Sequence, residues 1–407
     1  MGKLAITGGT PVRTKPFPPW PERSEKQVQM MMEIYNSPVW GVGSPHIKQF
    51  EETFARWHHA KYGVSVCNGT AALWVALKAV GVGYGDEVII PPYTFIATGS
   101  AVLMANAVPV FVDIDPDTYN IDPTKIEAAI TDRTKAIIPV HIAGSPADMD
   151  GVMAVARKHD LAVIEDAAQA HGAEWKGRRV GAIGDIGTFS FQSTKNMCAG
   201  EGGICVTDDE TLYDRCYSYS NCGRVRGGKW YEHHVLGSNC RLPAVCAGLL
   251  MAQFDQIDDQ MARRDRNACA LTGMLNEIEG IEPLKLHDGA TRSAWHLYVF
   301  RYRSEAFGGV SRSRFIEAMG AEGIQCSPGY VPLYREELFA VDPQEFPWLA
   351  GRDYRTLSLP VCERACDHEA VWLFQSMLLG DESDMRDIAA AIRKIRANVG
   401  ELKQVTA

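Results

Sequence analysis

The sequence predicts an α/β fold: a large domain built on a mostly parallel sheet, followed by a smaller α+β domain. Three observations carry this. Short apolar segments alternate with helical ones from Gly63 to about Val206. Several of those segments, such as Ala136-Ile137-Ile138-Pro139-Val140, are apolar on consecutive positions, as strands covered on both faces are. Around Leu242–Leu275 the pattern changes to one long helix, which separates an expected domain of residues 1–257 from one of residues 258–407.

In order, the opening 45 residues are rich in Pro and Gly around one helical stretch, Glu25–Tyr35. Strands are expected at Gly63–Cys67, Glu87–Ile90, Val108–Val112, Ala136–Val140, Ala162–Glu165, Gly187–Phe191 and Gly203–Val206. Helices are expected between them at Thr70–Val80, Ala97–Ala105, Asp122–Ala129 and Met149–Lys158. After the long helix come a strand, Leu297–Tyr302, and helices at Ser313–Glu322 and Asp384–Val399.

Bulk properties narrow the function classes. The chain has 407 residues, 46% of them hydrophobic, and a formal net charge of -9 with no Lys/Arg block. That balance argues against nucleic acid or an anionic membrane as the main partner. No run of apolar residues is long enough to span a bilayer, and Met1–Ala5 leads into Gly and Pro and not into a signal-peptide core. The 11 cysteines are scattered, which fits a reduced, cytoplasmic chain better than a disulfide framework. Cys362 and Cys366 lack a second ligand pair at zinc spacing, so no metal is expected.

Chemistry concentrates at the expected carboxyl edge of the sheet, where open α/β folds bind ligands. Asn68-Gly69-Thr70-Ala71 follows a strand and opens a helix, which suits an anion such as phosphate as well as a plain helix cap. Asp166 ends an apolar strand. Lys195 follows another, in the run Ser190 to Lys195, just before Gly200-Glu201-Gly202-Gly203. Phe95 could cover an aromatic ring or be an ordinary core aromatic. A lysine able to form a Schiff base and an acid able to hold a protonated ring nitrogen together suggest pyridoxal 5'-phosphate (PLP) chemistry. G-x-G-x-x-G is absent, which disfavours a nicotinamide enzyme.

Four blocks extend this. They are Cys67 to Leu73, Val163 to Gly172, Phe189 to Lys195 with Gly200 to Gly203, and Gly237 to Leu242. On them the chain resembles the DegT/StrS-type aminotransferases, nearly end to end. The resemblance implies PLP-dependent transferase fold type I and a homodimer with active sites at the subunit interface. It implies that Lys195 carries the cofactor and moves the proton, and that Asp166 keeps the pyridine nitrogen protonated. Gln169 would contact the cofactor ring or its oxygen. Gly69, Thr70, Ala71 and Ser190 would hold the phosphate, Phe95 would stack on the ring, and Asn239 would reach the phosphate of the partner subunit. The implied reaction moves an amino group from glutamate or glutamine to a keto-sugar or keto-cyclitol in secondary-metabolite or polysaccharide biosynthesis.

The stretch Gly8 to Pro21 and the pair Phe191-Gln192 resemble the branch that holds scyllo-inosose aminotransferases and 3-amino-5-hydroxybenzoate synthases. His141-Ile142-Ala143-Gly144 departs from the family's usual His-Leu-Tyr-Gly. The alternatives are a PLP-dependent sugar dehydratase, an aminohydroxybenzoate synthase-like enzyme, and a catalytically idle PLP- or sugar-binding regulator. The dehydratases tend to carry His where this chain has Lys195.

Overall fold

The computed structural model describes residues 2–340, 342, 344–349 and 351–404. A seven-stranded sheet forms its centre. In chain order the strands are β1 (Tyr62–Val66), β2 (Glu87–Ile90), β3 (Val108–Phe111), β4 (Thr134–Ile137), β5 (Ala162–Asp166), β6 (Ile186–Ser190) and β7 (Gly203–Thr207). In space they run β1-β7-β6-β5-β4-β2-β3. The ladder from β3 through β2, β4 and β5 to β6 is parallel. β7 is antiparallel to both β6 and β1. Its reversal follows from its connection: a loop, not a crossover helix, joins β6 to β7, and parallel neighbours need the longer crossover. That loop carries Lys195.

Eleven helices matter here: α1 (Glu25–Asn36), α2 (Pro45–Trp57), α3 (Gly69–Ala79), α4 (Ala97–Met104), α5 (Pro123–Ile126), α6 (Met149–His159), α7 (Glu210–Ser220), α8 (Ala244–Asn276), α9 (Arg312–Ala321), α10 (Pro360–Arg364) and α11 (Glu382–Ala397). The sheet separates two apolar clusters. Val88 and Ile90 of β2 join one with α3 and α4, while Ile89 joins the other with Phe50 and Phe54 of α2 and Val152 of α6. This period of two places the helices on both faces.

Beyond α8, a three-stranded antiparallel sheet runs β8 (Ile281–Pro283), β9 (Leu297–Tyr302), β10 (Ala370–Phe374). α9, α11 and the end of α8 bury a third cluster against it, with Leu4 from the far N-terminus. α8 itself passes residues 257 and 258 without a break.

Five of the named elements go beyond the sequence expectations: α2, α7, α10, β8 and β10. One expected helix is shorter than its pattern. Asp122 caps α5, which is one turn long before it tightens into a 3-10 turn at Glu127–Ala129.

Candidate active site

Asp166 is the last residue of β5 and is buried. Its Oδ2 accepts from Thr98 Oγ1 at 2.8 Å, and its Oδ1 accepts from the Ala168 N–H at 3.2 Å. Burial raises its carboxyl above the ordinary value; the hydrogen bonds from Thr98 and Ala168 and the charge of Lys195 pull the other way. Beneath it, Glu165 is fully buried. Its carboxylate accepts from the N–H groups of Gly181, Ile183 and Gly184, each at 2.7 Å, and pairs with His141 Nε2 at 3.0 Å. Burial alone would raise the Glu165 carboxyl; His141 and these backbone donors outweigh it and hold it low. The two adjacent acids thus differ in role: Glu165 is used up by the fold, and Asp166 keeps acceptor capacity.

Lys195 stands in the β6–β7 loop, its N–H bonded to the Gln192 carbonyl at 2.9 Å. The residue as a whole is half-buried, and its amine is desolvated. Its Nζ has no hydrogen-bond partner among the described residues. Burial lowers its ammonium to about 8, while the charge of Asp166 works against that shift. About a tenth of the amine is therefore neutral at pH 7, far more than for an ordinary lysine, and the neutral form is the one nucleophilic attack requires.

The start of α3 closes on β6. A Cβ on Gly69 would lie 2.7 Å from the Ser190 Cβ, so only glycine allows this approach. Asn68 caps the helix, its Oδ1 accepting from Ala71 N at 2.8 Å. Of the three expected phosphate donors, the N–H groups of Gly69 and Thr70 are unbonded among the described residues, and that of Ala71 is already taken. Ser190 Oγ accepts from Gln192 N at 3.4 Å.

Gln169 is buried; its Nε2 donates to Tyr330 Oη at 2.9 Å and its Oε1 accepts from Ala143 N at 2.7 Å. Phe95 is 56% exposed, and its carbonyl accepts from Thr98 N. It therefore sits one turn from the threonine that holds Asp166. Asn239 is exposed on a two-residue bridge with Asn221 and joins none of the other expected site residues within this chain.

Thr98 was not expected from the sequence; the only local signal is its place one turn beyond Phe95. Tyr330 is wedged between Tyr93 and Trp372, with ring centroids 5.4 and 4.5 Å away. Its contact with Gln169 spans 161 residues and has no local signature.

An α/β sheet with a desolvated lysine, a buried acid and an anion-ready helix start together is the site of an amino-group-transferring enzyme. The chain belongs to the DegT/DnrJ/EryC1/StrS aminotransferase family, whose pattern matches residues 21–393. A Streptoalloteichus tenebrarius protein assigned as an L-glutamine:3-amino-2,3-dideoxy-scyllo-inosose aminotransferase is 43% identical, over 98% of this chain and 99% of that one. The L-glutamine:2-deoxy-scyllo-inosose aminotransferase of the same organism is 39% identical over 98% and 99%. Among solved structures, 3-amino-5-hydroxybenzoic acid synthase superposes with a TM-score of 0.86 at 34% identity, covering 95% of this chain and 100% of that one. A Streptococcus pneumoniae protein described as a sugar aminotransferase, in its PLP form, gives 0.82 at 26% identity, covering 95% and 100%. The α/β fold expected from the sequence and the aminotransferase assignment both stand on these findings. No described helix is long and apolar enough to cross a membrane.

Proposed function

We propose that the chain is a PLP-dependent aminotransferase that moves the amino group of glutamine or glutamate to a keto-cyclitol of the scyllo-inosose kind. The observation that carries the chemistry is the joint burial of Lys195 and Asp166 at one sheet edge beside the unbonded N–H groups of Gly69 and Thr70. These groups fit the three reactive parts of PLP: an aldehyde, a ring nitrogen that must stay protonated, and a phosphate. The glutamine-dependent relatives support the donor and the cyclitol.

When bound, PLP supplies an electron sink for the carbon that bears the nitrogen. Lys195 would hold the cofactor's aldehyde end, and its free amine would take the proton from the carbon that bears the donor nitrogen and deliver one to the acceptor carbon. Asp166 would accept from the protonated ring nitrogen, with Thr98 fixing its Oδ2. The N–H groups of Gly69 and Thr70 and the Ser190 hydroxyl would donate to the phosphate, while the Ala71 N–H donates to the Asn68 cap behind them. Phe95 would cover one ring face, and Gln169 would contact the ring or its oxygen.

The proposal extends to a cytoplasmic homodimer in which Asn239 serves the partner's phosphate. Exposed Val28, Met31, Met32 and Tyr35 on α1, and Trp230, Tyr231 and Leu236 near Asn239, support an apolar interface. It also includes a large part, residues 1–257, and a smaller part, residues 258–407.

The test is a panel of keto-cyclitols and keto-nucleotide sugars with glutamine and glutamate as donors. Turnover of a keto-cyclitol with glutamine is expected, along with its loss in Lys195→Ala. Wild-type turnover by Lys195→Ala would remove Lys195 from the chemistry, and a keto-nucleotide sugar as the sole acceptor would overturn the substrate class.

A further inference from the structure

Three segments meet at Gly144. Its φ is 90°, and a Cβ there would lie 2.8 Å from the Gln169 carbonyl oxygen and 2.9 Å from the Trp295 nitrogen. The Gly144 carbonyl accepts from Ala294 N at 2.9 Å and from Ser293 Oγ at 3.1 Å. On one side, Ala143 has φ 59° and donates to Gln169 Oε1. On the other, Trp295 has φ 50°. A bulky residue in that conformation costs about 1–3 kcal/mol and persists only where its surroundings enforce it. Here Trp295 N donates to Ser293 Oγ at 3.2 Å, and the indole N–H donates to Asp265 at 2.6 Å.

The strained turn aims two groups at one side chain. Asn196 Nδ2 donates to the Ala294 carbonyl at 2.6 Å, and Asn196 Oδ1 pairs with His296 Nδ1 at 3.1 Å. An amide oxygen only accepts, so His296 carries its proton on Nδ1. Asn196 is 1% exposed and directly follows Lys195. One chain of contacts therefore runs from Gln169 through Gly144 and the Ser293–His296 turn to the residue beside Lys195.

We propose that Asn196 and His296 are positioning residues that pin Lys195 from behind and hold it at a set separation from Gln169. Their catalytic meaning rests on the PLP proposal, but the pinning is testable without cofactor. The groups that act on or face Lys195 are Asp166, His171 and His296, with Arg264 of α8 behind the histidines. Burial holds His171 down to about 3 and His296 well below its ordinary range, so neither adds charge near neutral pH. Unpinned, the lysine side chain gains solvent and its amine returns toward ordinary lysine behaviour.

The experiment compares wild type, Asn196→Ala, His296→Leu and His296→Asn as cofactor-free proteins. Lys195 labelling by acetic anhydride is followed by peptide mass spectrometry from about pH 6 to about pH 11. The wild-type midpoint is expected near 8. Asn196→Ala and His296→Leu are expected to move it upward by about 1 unit or more. His296→Asn, whose amide N–H can stand where the ring Nδ1–H stood, is expected to restore it. Overturning results are a wild-type midpoint in both Asn196→Ala and His296→Leu, an equal displacement by His296→Asn and His296→Leu, or a wild-type midpoint already in the ordinary lysine range. If Asn196→Ala does not fold, the two His296 variants decide. Adding PLP then separates the two proposals: no visible absorption band in wild type would sink the cofactor reading, while the labelling order would still judge the pinning.

Discussion

Lys195 and Asp166 are both destabilised in their charged forms by burial, and each lessens the other's penalty. For Lys195 the sign of the resulting pH dependence is fixed. Below about 8 the amine is protonated in the folded and the unfolded chain, and the folded chain bears the full desolvation cost. Between about 8 and the ordinary value of 10.5 the folded chain gives up its proton first, so stability rises with pH. Above that both states are neutral and the cost is gone. Lys195→Met keeps the stem and removes the charge. In the cofactor-free protein it should be more stable than wild type at neutral pH, by up to about 3 kcal/mol. The gap should close as pH rises through that window. Denaturant unfolding at both ends of the window measures it, and an equal gap at both would assign the effect to packing instead of charge.

At the scale of elements, α3 combines a cap with an anion site, and the two roles can be separated at Asn68. Asn68→Ala removes the Oδ1 that accepts from Ala71 N and should cost about 1 kcal/mol of stability. Asn68→Asp keeps the cap but sets a negative charge beside the phosphate. It should melt like wild type yet bind PLP about tenfold or more weakly. Unchanged PLP affinity in Asn68→Asp would move the phosphate away from α3. Elements of this kind were legible in the sequence because parallel strands buried on both faces appear as apolar runs, with functional groups at their ends. Asp166 and Lys195 could be found that way. α7 was harder to read: its inward face of Leu212, Tyr213, Cys216 and Tyr217 is mostly half-buried tyrosine, and its other positions are polar, so the stripe is weak. α2 does carry the signal in Phe50 and Phe54, and its start at the end of the Gly- and Pro-rich opening segment obscured it. The partners that hold the site lie at long range. Thr98 is 68 residues from Asp166, and Asn196 is 100 from His296, so no local pattern records either pair.

For the whole molecule, the N-terminal segment is the tie between its two ends. Leu4 is fully buried in the C-terminal cluster. Glu322, next to α9, accepts from Ala5 N at 2.9 Å, from Val12 N at 3.0 Å and from Lys394 of α11 at 2.9 Å. Arg13 is buried, its Nη1 2.7 Å from Asp384 and 2.8 Å from Asp387, with its guanidinium 3.9 Å above the Phe17 ring. A few residues on, the Trp20 indole donates to the Ser193 carbonyl at 3.1 Å, inside the loop that carries Lys195. Glu22 pairs with Arg263 of α8 at 3.0 Å. The first residues of the chain therefore join α11 to the lysine loop, an arrangement that an isolated Pro- and Gly-rich stretch does not announce. Breaking one partner of a buried ion pair strands the other, which costs about 3–5 kcal/mol. Arg13→Leu leaves Asp384 with exposed Lys15 at 3.4 Å as its remaining cation and should fall in the lower part of that range. The thermal midpoint should drop, and limited proteolysis should cut before α1 under conditions where the wild type stays intact. An unchanged midpoint with a protected N-terminus would show that the apolar contacts of Leu4 and the Glu322 hydrogen bonds hold the segment without the ion pair.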